Sequence, residues 1–310
     1  MPDVAVHASF GREVLSSLPA ALREEILSEP YTFGLFGPDP WFMHKPWLTR
    51  QGRGRQMHTT KPGAFLTALL RRTRAASSCR AELFSYLAGF FCHYALDSIT
   101  HPYVIWVTAD EYVFPRSHMS LEHALDIRQM ERDGFWGTAH PVTRHYYPRL
   151  RLPAVMLEDL DAVFEDVYGW KHCRRALNRS GRLYRFCYRL MESTRGFPAW
   201  LAGRTKEKSS LRSMIYCKSF FLSRDPENTE HRPWKHPFDP SLSFSDSFPE
   251  LREKARARAV ELIVAAWDYL NSEEKNEAEI ASLIGNNSYL SGLPADDPRN
   301  SSVPSLLPTE

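Results

Sequence analysis

The sequence predicts an all-α protein, a multi-helix bundle with long irregular loops arranged around a metal site. Three observations predict it. Apolar side chains recur at helical spacing along most of the chain, and no stretch alternates strongly enough to demand a sheet. Third, the stretch 91–123 carries His93, Asp97, His101, His118 and Glu122, potential metal ligands set at four-residue steps. A helix advances about 100° and 1.5 Å per residue, so His93, Asp97 and His101 form one slanting stripe on a single face. His118 and Glu122 repeat the step. Two histidine and carboxylate pairs, one extended by a further histidine, are what close divalent ions require from two facing helices. Pairing of His93 with Asp97 across one turn is the plainer explanation for those two residues alone. It loses ground to the extra His101, the second step, and the apolar setting of Phe90, Phe91, Cys92, Ala95 and Leu96, where an ionised carboxylate without a partner is costly.

Taken in order, residues 3–27 read as two short helices divided at Pro19, with His7 on the first. From Pro30 to Lys61 the periodicity is lost among Pro30, Gly34, Gly37, Pro38, Pro40 and Pro46, which predicts a long irregular segment holding Asp39 and His58. Helices are predicted at 62–74, 80–101, 117–131, 153–168, 172–191, 208–222, 249–270 and 272–284. Pro62 and Pro153 suit first turns, where a missing donor is harmless. Pro102 is expected to end its helix at His101. Residues 225–248, rich in proline, histidine and aromatics, read as a surface loop. Residues 1–285 are expected to form one helical metallohydrolase domain, and 286–310, where Asn, Ser, Pro and Asp dominate, an extended tail.

Composition excludes several alternatives. The formal charge of +2 leaves no large electrostatic footprint, so no specific nucleic-acid partner is expected. Cys79, Cys92, Cys173, Cys187 and Cys217 are odd in number and lack CxxC spacing, which argues against a disulfide framework or a thiolate zinc site. No basic stretch leads into an unbroken apolar run near the start, and the run from Leu83 to Leu96 is interrupted by Ser85 and His93. The expectation is a cytoplasmic protein without a transmembrane segment.

His7, Gly37-Pro38-Asp39, His58, His93-x-x-x-Asp97, His101 and His118-x-x-x-Glu122, in that order, resemble the ligand series of the zinc-dependent phospholipase C family, a relative of the P1-type nucleases. The motifs reach to about residue 125. The resemblance implies one zinc ion on Asp39, His58, His93 and Asp97, a second on His101, His118 and Glu122, and Asp39 as the catalytic base. Secreted members bind a third zinc through the first residue of the mature chain, a histidine corresponding to His7, and the carboxylate corresponding to Asp97. Here Met1 stands six residues before His7. Two ions are therefore expected, with His7 either ligating a third or only hydrogen-bonding. Choline-selective members carry aromatics where this chain has Pro40 and Arg55, so the substrate is expected to be a phosphate ester, lipid or otherwise, of unspecified headgroup. By charge and nearness to the ligands, Arg53, Arg55 and Trp41 are the candidate substrate contacts. Zinc-activated water attacking phosphorus is the chemistry implied. The rival readings are a nuclease or phosphomonoesterase of the same helical superfamily, and a metal-binding interaction protein without turnover.

Overall fold

Residues 80–109 supply the axis of the molecule, because their apolar side chains point in every direction and such a helix is stable only when enclosed. The computed structural model describes residues 3–44, 52–109, 118–192, 200, 204, 215–216, 225–273 and 276–301. In chain order the helices are α1 (Val4–Ser17), α2 (Ala20–Glu24), α3 (Ser28–Gly34), α4 (Arg53–Thr59), α5 (Pro62–Ala75), α6 (Arg80–Ala109), α7 (His118–Arg132), α8 (Pro141–His145), α9 (Ala154–Tyr168), α10 (Cys173–Met191), α11 (Phe248–Asn271) and α12 (Glu277–Ile284). A 3-10 turn spans Asp39–Met43 and another Pro298–Ser301. The fold is all-α. Helices α1, α3, α5, α7 and α11 surround α6, and Leu83, Tyr86, Leu87, Phe90, Phe91 and Leu96 fill the space between them. Among the described residues no helix is long and apolar enough to cross a membrane.

Four local expectations are corrected. Pro102 does not end α6, which runs on to Ala109. The lost backbone bond and ring clash cost about 3 kcal/mol, and burial of Tyr103, Val104 and Val107 opposes that cost. Tyr103 also donates to the Pro226 carbonyl at 2.9 Å. The stretch 225–248 is not wholly loop: β1 (Trp234–His236) and β2 (Asp239–Phe244) form an antiparallel pair. Trp234 stacks on Phe244 at 4.6 Å and meets Tyr103 and Trp106 of α6, so packing on the axial helix replaces the missing alternation as the reason for these strands. The irregular segment 30–61 contains α3, the first 3-10 turn and α4. Pro30 falls in the first turn of α3, where no donor is needed.

The fourth concerns the start of the expected tail. Asn287 bridges Pro294, Tyr289 is buried, and the Tyr289 amide donates to the His58 carbonyl at 3.3 Å. His236 joins hairpin to tail, its Nε2 lying 2.9 Å from the Ser291 carbonyl oxygen. The helix expected at 208–222 lies outside the described residues apart from 215–216.

Candidate metal centre

Helix geometry divides the stripe on α6. His93 and His101 are eight residues, about 12 Å, apart along the axis, too far to share an ion, while Asp97 lies between them. Each histidine therefore finds ligands on other elements. Asp39 opens the 3-10 turn that follows α3, and Gly37 just before it has φ 45° and no room for more than hydrogen. A Cβ built there would lie 2.5 Å from the His93 ring. His58 comes from the last turn of α4, His7 from α1, and His118 and Glu122 from one face of α7.

These side chains converge as three overlapping groups: Asp39, His58 and His93; His7, His93 and Asp97; His101, His118 and Glu122. His58 Nε2 is 3.3 Å from Asp39 Oδ1, His93 Nε2 is 3.1 Å from Asp97 Oδ2, and His7 Nε2 is 3.2 Å from Asp97 Oδ1. In the third group His118 Nε2 lies 3.2 Å from His101 Nε2 and 2.7 Å from Glu122 Oε1. Two atoms bound tetrahedrally to one ion through bonds of about 2.0–2.1 Å sit about 3.3 Å apart, close to most of these separations. All eight predicted ligands are thus brought together, and Asp97 turns Oδ1 to His7 and Oδ2 to His93, the ring that two of the groups share.

The hydrogen bonds around the rings test whether the residues suit a metal. His58 Nδ1 is 2.7 Å from the Gly54 carbonyl oxygen, His93 Nδ1 is 3.1 Å from that of Leu35, and His101 Nδ1 is 2.9 Å from that of Tyr289. A carbonyl only accepts, so each Nδ1 carries the proton and each Nε2 turns a lone pair inward. This is how proteins fix the tautomer of a metal-ligating histidine. Within the cluster, His7 Nε2, His93 Nε2, Asp39 Oδ1 and both Asp97 oxygens are buried without a hydrogen-bond partner. Buried polar atoms left so are expensive, and a divalent cation is what would satisfy them together.

Electrostatics agree with this reading. Burial would raise the Asp97 carboxyl, but His93 and His7 hold it well below the usual carboxylate range. Burial holds His101 and His118 well below the ordinary histidine value. His7 is lowered too, by burial and then by His93. Burial opposes charge on His93 also, yet the Asp97 and Asp39 carboxylates raise it. Neutral imidazoles beside ionised carboxylates are the protonation states that bind metal, so His7, His101 and His118 are poised to ligate, while a metal must displace the proton that the carboxylates favour on His93.

The expected substrate contacts fare differently. Trp41 is fully buried between Phe164 and Trp170, and packing removes it from any ligand entering from solvent. The Arg53 guanidinium lies over Trp41 and Trp170 and reaches the Cys173 sulfur, so it is held by the core side of α4. Arg55 is half-buried and makes no side-chain hydrogen bond or ion pair among the described residues. Phe42, stacked on His58 at 5.1 Å and 37% exposed, is a solvent-exposed aromatic beside the ligands.

Sequence reading missed two supporting sets. Tyr289 lends its carbonyl to His101 and its ring to the faces of His58 and His93; its one sequence signal is an aromatic side chain in an otherwise polar stretch. Behind α1, Asp126 accepts from the amides of Ala5 and Val6 at 2.9 Å each, and Asp3 meets His123 Nε2 at 2.9 Å and the hydroxyls of Tyr188 and Tyr216. These bonds tie down the first turn of α1, which places His7. No spacing in the sequence connects residues 3, 126, 188 and 216.

An all-α fold enclosing histidines and carboxylates with inward lone pairs defines a helical protein built to bind divalent metal. The chain belongs to the zinc-dependent phospholipase C family, whose model matches residues 6–174, beyond the reach of the motifs and over every predicted ligand. Membership makes it, at the coarse level, a zinc hydrolase. No curated protein and no solved structure matches it.

Proposed function

We propose that the protein is a zinc-dependent phosphodiesterase of phospholipase C type, hydrolysing a phosphate ester with water as nucleophile and Asp39 as general base. The observation that carries the reading is the set of three histidines whose Nδ1 atoms face backbone carbonyls while their Nε2 atoms face other ligand groups, a carboxylate for His58 and His93 and the His118 ring for His101. Asp39, His58, His93 and Asp97 would hold one ion and His101, His118 and Glu122 a second, with His7 and the free oxygen of Asp97 as partial ligands for a third. Zinc supplies Lewis acidity, lowering the pKa of a water and neutralising charge on phosphate oxygens.

The remaining work belongs to the chain. The Asp39 carboxylate accepts the proton of the attacking water, a role worth about 10²–10⁴-fold in rate. Tyr184, whose hydroxyl lies 3.5 Å from Asp39 Oδ2, limits the orientations open to that carboxylate. Entry is at the His118 end, where the side chain is 29% exposed, whereas His93 and Asp97 are sealed. Arg55 supplies a cation for the phosphate, and Phe42 an apolar wall beside His58.

Elemental analysis followed by a panel of lipid, nucleic-acid and small phosphate esters tests the proposal. The expected result is at least two zinc per chain and diester hydrolysis abolished by chelation. Preference for single-stranded nucleic acid or for monoesters would replace it with the nuclease or phosphomonoesterase reading. Bound zinc with no hydrolysis of any ester would leave only a binding protein.

A further inference from the structure

Helix α10 carries two faces with separate tasks. Its buried face, Leu177, Ser180, Gly181, Tyr184 and Tyr188, packs inward, and through Tyr184 and Tyr188 it reaches Asp39 and Asp3. Its outer face presents Arg175, Arg179, Arg182, Phe186, Arg189 and Leu190, all exposed. At about 100° per residue these six fall within one sector roughly 100° wide. No acidic residue occurs in the helix.

The fold does not account for those arginines. Arg174 pairs with Glu158 at 2.7 Å, and Arg185 donates to the carbonyls of Tyr147 and Thr143 at 3.2 and 3.1 Å, so both serve the structure. Arg175, Arg179, Arg182 and Arg189 make no hydrogen bond or ion pair among the described residues. Like charges crowd the end of the stripe: Arg185 is held below the ordinary guanidinium value by burial and then by Arg189 and Arg149. Between the charges, Phe186 is 56% exposed and Leu190 50%, one helical turn apart. An uncompensated row of guanidinium groups asks for a field of fixed anions, and guanidinium matches phosphate oxygens in bidentate geometry. Two exposed apolar side chains in the same row require that this anionic surface also have an apolar layer beneath. A nucleic-acid backbone answers the first demand only.

We propose that the outer face of α10 docks the protein on an anionic phospholipid surface, with the arginines at the headgroup phosphates and Phe186 and Leu190 entering the acyl boundary. The helix begins where the family match ends, so the surface lies almost wholly outside the matched stretch. A helix with side chains is about 10–12 Å across, which sets the lipid one helix thickness from Asp39. The choice of a lipid surface rests on the phosphodiesterase reading; the cationic and apolar stripe does not.

Co-sedimentation of the full-length, zinc-loaded protein with phosphatidylcholine vesicles, with and without phosphatidylserine, tests the proposal. Binding is expected only with phosphatidylserine present, and is expected to weaken as salt rises. Each arginine near such a surface contributes about fivefold to partitioning. The combined Arg175→Gln, Arg179→Gln, Arg182→Gln and Arg189→Gln variant should therefore bind on the order of several hundred-fold more weakly. Phe186→Ala with Leu190→Ala should lose roughly tenfold or more while keeping the salt dependence. Both variants should hydrolyse a water-soluble phosphodiester at the parental rate, which shows them folded. Equal binding to pure phosphatidylcholine, unchanged binding by the arginine variant, or capture of single-stranded RNA in place of vesicles would each overturn the proposal. Vesicle binding by a protein inactive on every ester would sink the enzymatic reading alone; soluble-ester hydrolysis without vesicle binding would sink this one alone.

Discussion

At the scale of single residues the centre is built by giving each imidazole a reason to point one way. The carbonyls of Gly54, Leu35 and Tyr289 fix the Nδ1 atoms, and burial keeps His101 and His118 neutral. The ligand identities were legible in the sequence because helical spacing converts His93-x-x-x-Asp97 and His118-x-x-x-Glu122 directly into a shared face. The carbonyl partners were not legible, since a backbone oxygen leaves no mark on residue identity. His93 belongs to two of the groups and Asp39 to one, which separates their substitutions. His93→Ala should release zinc and reduce phosphodiester hydrolysis by on the order of 10³-fold or more. Asp39→Asn keeps shape and one ligating oxygen but cannot take up a proton, so a loss of about 10²–10⁴-fold with most zinc retained is expected. Zinc content and rate measured on the same preparations decide it. A His93→Ala protein with full zinc and full rate would remove the cluster from the mechanism.

At the scale of elements, helices were readable from periodicity and their proline starts, whereas Pro102 was misread because a local rule met a tertiary contact. Its ring leaves the Ser98 carbonyl without an intrahelical donor, and there the chain brings in Gly292, which has φ 67° and where an added Cβ would stand 2.3 Å from that oxygen. The turn ending at Gly292 begins at Ser288, with Gly292 N donating to the Ser288 carbonyl at 2.9 Å, and it carries Tyr289 to His101. Composition marked this segment as tail because the contacts that seat it on the metal centre, to His58, Tyr94 and His101, lie almost two hundred positions or more upstream. Gly292→Ala must adopt an unfavourable φ and push the turn off α6. A loss of about 2 kcal/mol in stability is expected from left-handed strain and the clash combined. Loss of the carbonyl behind His101 should weaken zinc binding about 10–100-fold, as for other partners of ligating histidines. Thermal unfolding and competitive chelation measure the two effects. An unchanged zinc affinity would mean that Tyr289 does not orient His101.

At the scale of the whole molecule, α6 passes through the core bearing an ionised Asp97 and two histidines, and elements from both ends of the chain close over them. The apolar shell was legible as all-α, but the closure was not, because α1, the 3-10 turn, α4, α7 and the 286–292 segment meet only in three dimensions. Such an arrangement makes folding and metal binding one equilibrium. Without a cation, Asp97 and its neighbours would retain buried atoms lacking partners, each costing about 1–3 kcal/mol. An ion present at 1,000 times its dissociation constant stabilises the native state by about 4 kcal/mol. A chain of this size shifts by roughly 2–4 °C per kcal/mol, so chelation should lower the melting temperature by on the order of 10 °C, and added zinc should restore it. The pH dependence has a definite sign. Protons compete with zinc for imidazole nitrogens, so the gap between loaded and chelated protein narrows as pH falls. Because the Asp97 and Asp39 carboxylates raise His93 while burial depresses His101 and His118, the narrowing should begin with protonation of His93 and be completed, as His101 and His118 take up protons, only below the ordinary value of 6.5. Scanning calorimetry with and without chelator across this range supplies the measurement. Equal melting temperatures at neutral pH would mean that the buried carboxylates are satisfied without an ion, and the metal centre would lose its physical basis.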